Sequence, residues 1–240
     1  MLNDLRSYYQ QQMFFPSLLA LFFNPFYFAR KNLASAISEF STHIHGHLLD
    51  VGCGTKPYRS LFKVERYRGL DIDSPITRER GVADDLYDGT LFPYQNETFD
   101  SALCNQVLEH VFNPDQFLTE INRVLKPGGK LLLTVPFVWD EHEQPFDYAR
   151  YSSFGLKALL KKNGFKIISH QKLAADATIL FQLTNAYLFK LSQRWPRLVK
   201  LLFTSTVMAT VNILGLVAGK LLPGNPDLFL DHVVLAEKQS

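Results

Sequence analysis

From about residue 46 to residue 170, short apolar runs alternate with stretches whose apolar residues recur every three or four positions. "HLLDV" (47–51), "YRGLDI" (67–72), "FDSALCN" (99–105), "GKLLLTVPF" (129–137) and "FKIISH" (165–170) read as buried strands, and "DHVVLAEK" (231–238) as one more near the end. "GVA" (81–83) is the candidate for a short third strand. Between the runs at 99–105 and 129–137, Phe117, Leu118, Ile121, Val124 and Leu125 fall at helical spacing, with Asn113 as cap and Pro114 at the first position. Residues 152–165 repeat that form, with a serine start, Phe154, Leu156, Leu159 and Leu160 on one stripe, and Gly164 as the stop. Strands alternating with helices predict an α/β chain: a doubly wound, mostly parallel, seven-stranded sheet with helices on both faces. Only residues 73–80 separate the second and third runs. A parallel crossover normally needs a dozen residues or more, so the helix there is reduced to a turn or the third strand lies elsewhere.

Two segments break the alternation. Residues 13–29 and 201–219 carry no charge. The first lacks a basic leader and a small-residue cleavage site, and Pro16 and Pro25 interrupt it, so it does not read as a signal peptide. The second is long enough for a hydrocarbon core, at roughly 28 Å if helical. Thr204, Ser205, Thr206, Thr210 and Asn212 weaken it as a span. A single crossing would also put the strand at 231–238 across the membrane from the rest of its sheet. The expected organisation is an apolar helical segment at 1–45, a catalytic-type domain at 46–170 and 231–240, and a helical insertion at 171–230 before the last strand. Two readings of the apolar segments stay open: a helical cap over the site, or a surface in peripheral contact with a membrane, with Arg30, Lys31, Arg194, Arg197 and Lys200 near the headgroups.

Composition narrows the classes. With 47% hydrophobic and 20% charged residues a sizeable core is available. A net charge of +2 gives no concentrated basic face, so nucleic acid is not an expected partner. Two cysteines, Cys53 and Cys104, are too few for a disulfide framework and suit a cytoplasmic protein, peripheral at the inner face of the membrane if the apolar segments touch it.

The chemistry begins at "LLDVGCGTKPY" (48–58). An acid at a strand end, then two glycines about a small residue, lets the backbone approach a ligand closely. Asp71 ends the second strand about 20 residues on, where an acid can bind both ribose hydroxyls. Together they point to a nucleoside-containing cofactor. Pro57 stands where a dinucleotide fingerprint has its third glycine, which disfavours an NAD-dependent reductase. With "GLDID", "VADDLYDGTLFPYQNETFDSALCNQVLEHV" and "FLTEINRVLKPGGKLLLTVPF" following in order, the chain resembles the class I S-adenosylmethionine-dependent methyltransferases of the small-molecule type. The resemblance covers about residues 46–170 plus the last strand and implies a Rossmann-like fold with S-adenosyl-L-methionine as cofactor. It implies that Asp50, Gly52, Cys53 and Gly54 surround the methionine part, that Asp71 holds the ribose and that Ile72 lies beside the adenine. Asp84 or its neighbour Asp85 would meet the adenine amino group with Leu86 packing there, and Asn105 and Gln106 would line the methyl end.

The acceptor side is read from "VWDEHEQPFDYARYSS" (138–153). His142 is the candidate base, having the side chain whose ordinary pKa lies nearest neutrality. Asp147, Tyr148 and Arg150 are candidates to orient a polar acceptor, though the same residues also fit a polar loop in which Asp147 and Arg150 pair. Glu109 and His110 read as a helix-stabilising pair. His43, His45 and His47 alternate as a strand would, but no carboxylate or cysteine joins them, so no metal is assigned. The expected reaction is methyl transfer to a small or lipid-linked acceptor, in glycan or lipid synthesis. A catalytically silent cofactor-binding scaffold is the alternative.

Overall fold

The computed structural model describes residues 2–239, with side chains from residue 6 onward. Its seven strands are β1 (His47–Val51), β2 (Arg66–Ile72), β3 (Asp85–Tyr87), β4 (Phe99–Asn105), β5 (Leu125–Pro136), β6 (Phe165–Leu173) and β7 (Asp231–Lys238). They form one sheet in the order β3-β2-β1-β4-β5-β7-β6. The pairs β3–β2, β2–β1, β1–β4 and β4–β5 are parallel. The last strand runs antiparallel to both neighbours. Lys238 Nζ donates to the Leu125 carbonyl at one end, while His232 lies against Phe137 and His170 at the other. The third strand lies at Asp85–Tyr87, not at 81–83. A six-residue helix, Pro75–Arg80, capped by the Ser74 hydroxyl and ended by Gly81 in the left-handed region, occupies the connection. The extra chain that this helix and its exit consume pushes the strand four residues on.

Two compact units divide the chain. One comprises residues 36–137, 141–171 and 232–240. Its central strands, β1, β4 and the second half of β5, are buried on both faces, as a covered parallel sheet requires. Leu49, Val51, Ala102, Cys104, Leu131 and Leu133 pack with Phe117, Leu118, Ile121 and Val124 of one helix (Pro114–Val124) and Leu156 and Leu160 of another (Ser153–Lys162). The alternate residues Leu48, Leu103 and Leu132 are buried too. Asn113 and Ser152 cap the two helices by accepting from the N–H groups of Gln116 and Gly155.

The other unit comprises residues 1–35, 138–140 and 172–231. It joins the N-terminal segment to the insertion. The insertion holds a helix at Thr178–Leu191 and a continuous helix at Arg197–Leu221, the latter with a π-helical turn at Thr204–Met208. Buried amides hold the two chain segments together. Gln182 accepts from the Ala29 N–H and donates to the Pro25 carbonyl. Asn212 donates to the carbonyls of Leu21 and Asn24 at 2.9 and 3.1 Å, and accepts from Asn185 at 2.9 Å. Gly215 lets the long helix close on Phe28 and Phe181, since an added Cβ would lie 2.7 Å from Phe28 Cε2 and 2.9 Å from Phe181 Cβ.

Replacing Asn212 by alanine strands two carbonyls and one amide in the interior. The expected loss is roughly 2–4 kcal/mol, read as a lowered midpoint in urea unfolding; an unchanged midpoint would show that this network carries no stability.

Candidate active site

The strand order reverses between β1 and β4, where connections leave in opposite directions and a crevice opens beyond the carboxyl ends. Val51 pairs with Leu70 on one side and Cys104 on the other, so the ends of β2, β1 and β4 arrive at one level. The chain turns there through residues that need positive φ: Gly52 at 71° and Gly54 at 51°. The N–H groups of Gly52 and Cys53 both donate to the Leu70 carbonyl, at 2.8 and 3.1 Å. A Cβ on Gly52 would fall 2.4 Å from Val107 Cγ2, whereas one on Gly54 would meet nothing within 4 Å. The loop is therefore closed toward β4 and open above Gly54.

Asp71 faces the same loop. Its Oδ2 accepts from the Gly54 N–H at 2.9 Å and its Oδ1 from the Ile72 N–H at 2.8 Å. Leu86 is its register partner on β3, and Ile72 is half exposed beside Gly89. Asp50, at 4% exposure, accepts from the Tyr67 hydroxyl. Burial pushes its carboxyl up to about 7, with the Tyr67 hydrogen bond opposing. Because the folded value exceeds the ordinary one, this group stabilises the fold least above that value, and the loss develops as pH rises from about 4 to about 7. Cys53 is buried and its thiol is pushed up to about 12, chiefly by desolvation, so it is no nucleophile. At the end of β4, Asn105 accepts from the Thr134 hydroxyl at 2.8 Å, and Gln106, at φ 54°, donates its N–H to the Thr134 carbonyl at 3.0 Å.

Asp84 and Asp85 lie at the amino end of β3, not at its carboxyl end. Asp84 accepts from Lys56 Nζ at 2.7 Å and from the Gly69 N–H at 2.6 Å. Desolvation pushes its carboxyl up, but these hydrogen bonds outweigh it and hold the group below its ordinary value. Asp85 is bound by Arg68 and by the Tyr94 hydroxyl, each with a bond of 2.8 Å. The displaced third strand is the cause of both. The acid at the carboxyl end of β3 is Asp88, next to Gly89, whose added Cβ would stand 3.6 Å from Ile72 Cδ1. Asp88 accepts from the Thr90 N–H at 2.8 Å.

The loop after β5 gathers the remaining candidates. Asp147 accepts from Arg150 Nη1 and Nη2 at 2.6 and 2.7 Å and from the His142 N–H at 3.0 Å, and its Oδ2 stands 3.2 Å from His142 Nδ1. The Arg150 fork holds its carboxyl down to about 2. Tyr148 and Ala149 donate their N–H groups to the Glu109 carbonyl at 2.8 and 3.3 Å, which docks the loop on the turn after β4. Tyr148 is exposed and packs edge-on against Phe112. Glu109 and His110 do pair, Oε1 to Nε2 at 3.8 Å in the short helix Leu108–His110, and the pair faces inward. Glu109 is fully buried, and the His110 ring packs edge-on at 4.7 Å from that of His142. His110 Nδ1 lies 2.7 Å from the Phe146 carbonyl. With its Nδ1 at an oxygen acceptor, His110 presents Nε2 as its basic nitrogen, whereas His142 Nδ1 lies between Asp147 Oδ2 at 3.2 Å and Arg150 Nη2 at 3.5 Å. Donor atoms of Glu109, His110 and His142 lie within 4.8 Å of one another, a grouping that could receive a proton or a cation. Sequence spacing hides it, since residues 109 and 142 meet only when the two loops pack. His45 and His47 turn elsewhere: His45 Nδ1 lies 3.2 Å from the His43 carbonyl, and His47 stacks on Phe99.

Comparison with known proteins agrees with this geometry. Residues 49–133 match the family model described as a methyltransferase domain. An uncharacterised protein of Methanocaldococcus jannaschii is 31% identical over 150 residues, which cover 56% of this chain and 72% of that one. A probable S-adenosylmethionine-dependent methyltransferase of Mycolicibacterium smegmatis is 30% identical over 133 residues, covering 50% of this chain and 52% of its own. The chain thus spans about half the length of that second relative. Phosphoethanolamine N-methyltransferase 2 of Haemonchus contortus, solved with S-adenosyl-L-methionine, superposes with a TM-score of 0.57 at 17% identity, over 97% of this chain and 56% of that one. The cyclase SpnF superposes at 0.55 with 23% identity, over 86% and 80%. These two show the shared fold. With an open loop above Gly54, a carboxylate at Asp71 and a matching domain over the first five strands, the chain belongs to the class I S-adenosylmethionine-dependent methyltransferase family.

Proposed function

We propose that the chain methylates a polar oxygen or nitrogen on a small or lipid-linked acceptor, one suited to glycan or lipid synthesis. The bond from the Gly54 N–H to Asp71 carries the cofactor half of this reading, because it fixes a ribose-seeking carboxylate at the crevice mouth. Gly52, Cys53 and Gly54 border the methionine part, with Asp50 as its anionic neighbour. Asp71 takes the ribose hydroxyls. Ile72 and Leu86 flank the adenine, and Asp88 replaces Asp84 and Asp85 as the acid for its amino group. Asn105 and Gln106 border the methyl end. The cofactor supplies an activated methyl group, and the transfer is an in-line displacement that needs alignment and dryness more than acid–base help.

The acceptor must still lose a proton when it attacks through O–H or N–H. His142 Nε2 takes that proton in this reading, while Asp147, held by Arg150, fixes the ring through Nδ1. Glu109 and His110 border the same space and stabilise the imidazolium that forms. Tyr148, exposed beside the base, contributes an aromatic wall to the acceptor.

The direct test is the appearance of S-adenosylhomocysteine on incubation with candidate acceptors; cofactor binding with no turnover on any of them would favour the silent scaffold. Asp71→Ala is expected to weaken S-adenosylmethionine binding by tenfold or more in calorimetry, with the fold retained by circular dichroism. His142→Asn is expected to leave cofactor affinity unchanged and to lower kcat by about 10²–10³. Asp50 adds a pH signature. Its ionised form pairs better with a cationic ligand, so cofactor affinity should rise between pH 6 and 8 in the wild type, by up to about tenfold, and should rise less in Asp50→Asn.

A further inference from the structure

The long helix Arg197–Leu221 is turned inside out for a protein in water. Its buried side carries Thr204, Met208, Ala209, Asn212 and Gly215, two of them polar and two nearly without side chain. Its exposed side carries Leu198, Leu201, Leu202, Val207, Ile213, Leu214, Val217 and Leu221. An ordinary surface helix has the reverse arrangement. Its most apolar 18-residue window has a mean hydropathy of 1.9 and is only 22% buried. The same unit exposes Leu18, Leu19 and Phe22 from the N-terminal segment.

The polar residues on the outer side are satisfied without water. Ser205 Oγ and Thr206 Oγ1 both donate to the Leu202 carbonyl, at 3.2 and 2.7 Å, and Thr210 Oγ1 donates to the Thr206 carbonyl at 2.9 Å. In the neighbouring helix Thr184 Oγ1 donates to the Leu180 carbonyl at 2.8 Å. A hydroxyl bonded back to its own helix can enter an apolar medium at little cost.

Charge identifies the medium. Residues 177–226 contain no acid and five bases: Lys190, Arg194, Arg197, Lys200 and Lys220. Arg194, Trp195 and Arg197 stand exposed together at the amino end of the helix, and Lys220 near the other end, so cations and an indole bracket the apolar stretch. Such bracketing suits a headgroup layer over acyl chains. A symmetric pair of chains meeting on this face would oppose arginine to arginine with no acid in the insertion to meet them. A spanning helix is excluded by topology, because β7 follows the insertion yet pairs between β5 and β6, which precede it.

We propose that the insertion is a docking surface for a bilayer containing anionic phospholipid, with the helix 197–221 lying along the interface. The proposal does not depend on the methyl-transfer reading.

Flotation of the full chain tests it, using vesicles of phosphatidylcholine alone and vesicles with about one-third phosphatidylglycerol. Preferential flotation with the anionic vesicles, reversed by high salt, is expected, and Arg194→Glu with Arg197→Glu should weaken it by tenfold or more. Both arginines are exposed, so this variant should keep the wild-type circular dichroism spectrum. Leu198→Ser with Leu202→Ser should weaken flotation on both lipids. The proposal is overturned if the chain floats with neither vesicle or equally with both, if charge reversal has no effect, if bound chain resists alkaline extraction as a spanning protein does, or if light scattering shows a stable dimer that ignores vesicles.

Discussion

Everything at the carboxyl rim rests on β1 having unlike neighbours. It pairs in parallel with β2 on one side and β4 on the other, and Val51 meets Leu70 and Cys104 at the same height. Beyond that height the chain departs from β1 and β4 to opposite sides, and no strand remains to fill the gap. The turn at Gly52 is then constrained twice, by its positive φ and by Val107 from the β4 side. A side chain at this position would force β1 and β4 apart or close the loop over its own opening. The crevice is thus a result of strand order, and the glycines keep it open.

The sheet was legible because strands buried on both faces appear as compact apolar runs; β1, β4 and β7 begin and end where those runs do. The β3 position was not. Three residues with exposed or half-buried side chains carry little hydrophobic signal, and the helix before them is too short to show a period. Asp84 and Asp85 accordingly sit before and at the start of that strand, in ion pairs with Lys56 and Arg68. The surroundings of Glu109 and His110 were hidden for a different reason. Three consecutive letters in a short turn say nothing of what packs on them, and the loop that does so arrives from residues 141–150. The pairing of Asp147 with Arg150, by contrast, follows from their spacing, and it coexists with a contact to His142.

The second compact unit obeys a different packing rule. Asn24, Gln182, Asn185 and Asn212 lie inside it, each engaged by a backbone or amide partner, while leucine, valine and isoleucine face out. Such a core gains specificity from directional bonds, because few other arrangements would satisfy the same carbonyls. It also explains why two apolar stretches separated by more than a hundred residues of sequence form one unit: the free carbonyls at Leu21, Asn24 and Pro25, next to the breaks made by Pro25 and the preceding turn, need donors that the insertion provides. Apolar patterning alone could not reveal this, since the joining contacts are polar.

The grip of two backbone N–H groups on Asp71 has one more effect. A carboxylate tied at both oxygens cannot swing aside, so in the proposed reading its negative charge stays fixed beside the sugar hydroxyls. A nucleotide bearing a phosphate on its ribose would meet that charge directly, and two like charges about 4 Å apart repel by roughly 4 kcal/mol at the effective dielectric of a protein surface. In that reading, phosphorylated dinucleotides would be turned away by electrostatics alone, without any steric gate.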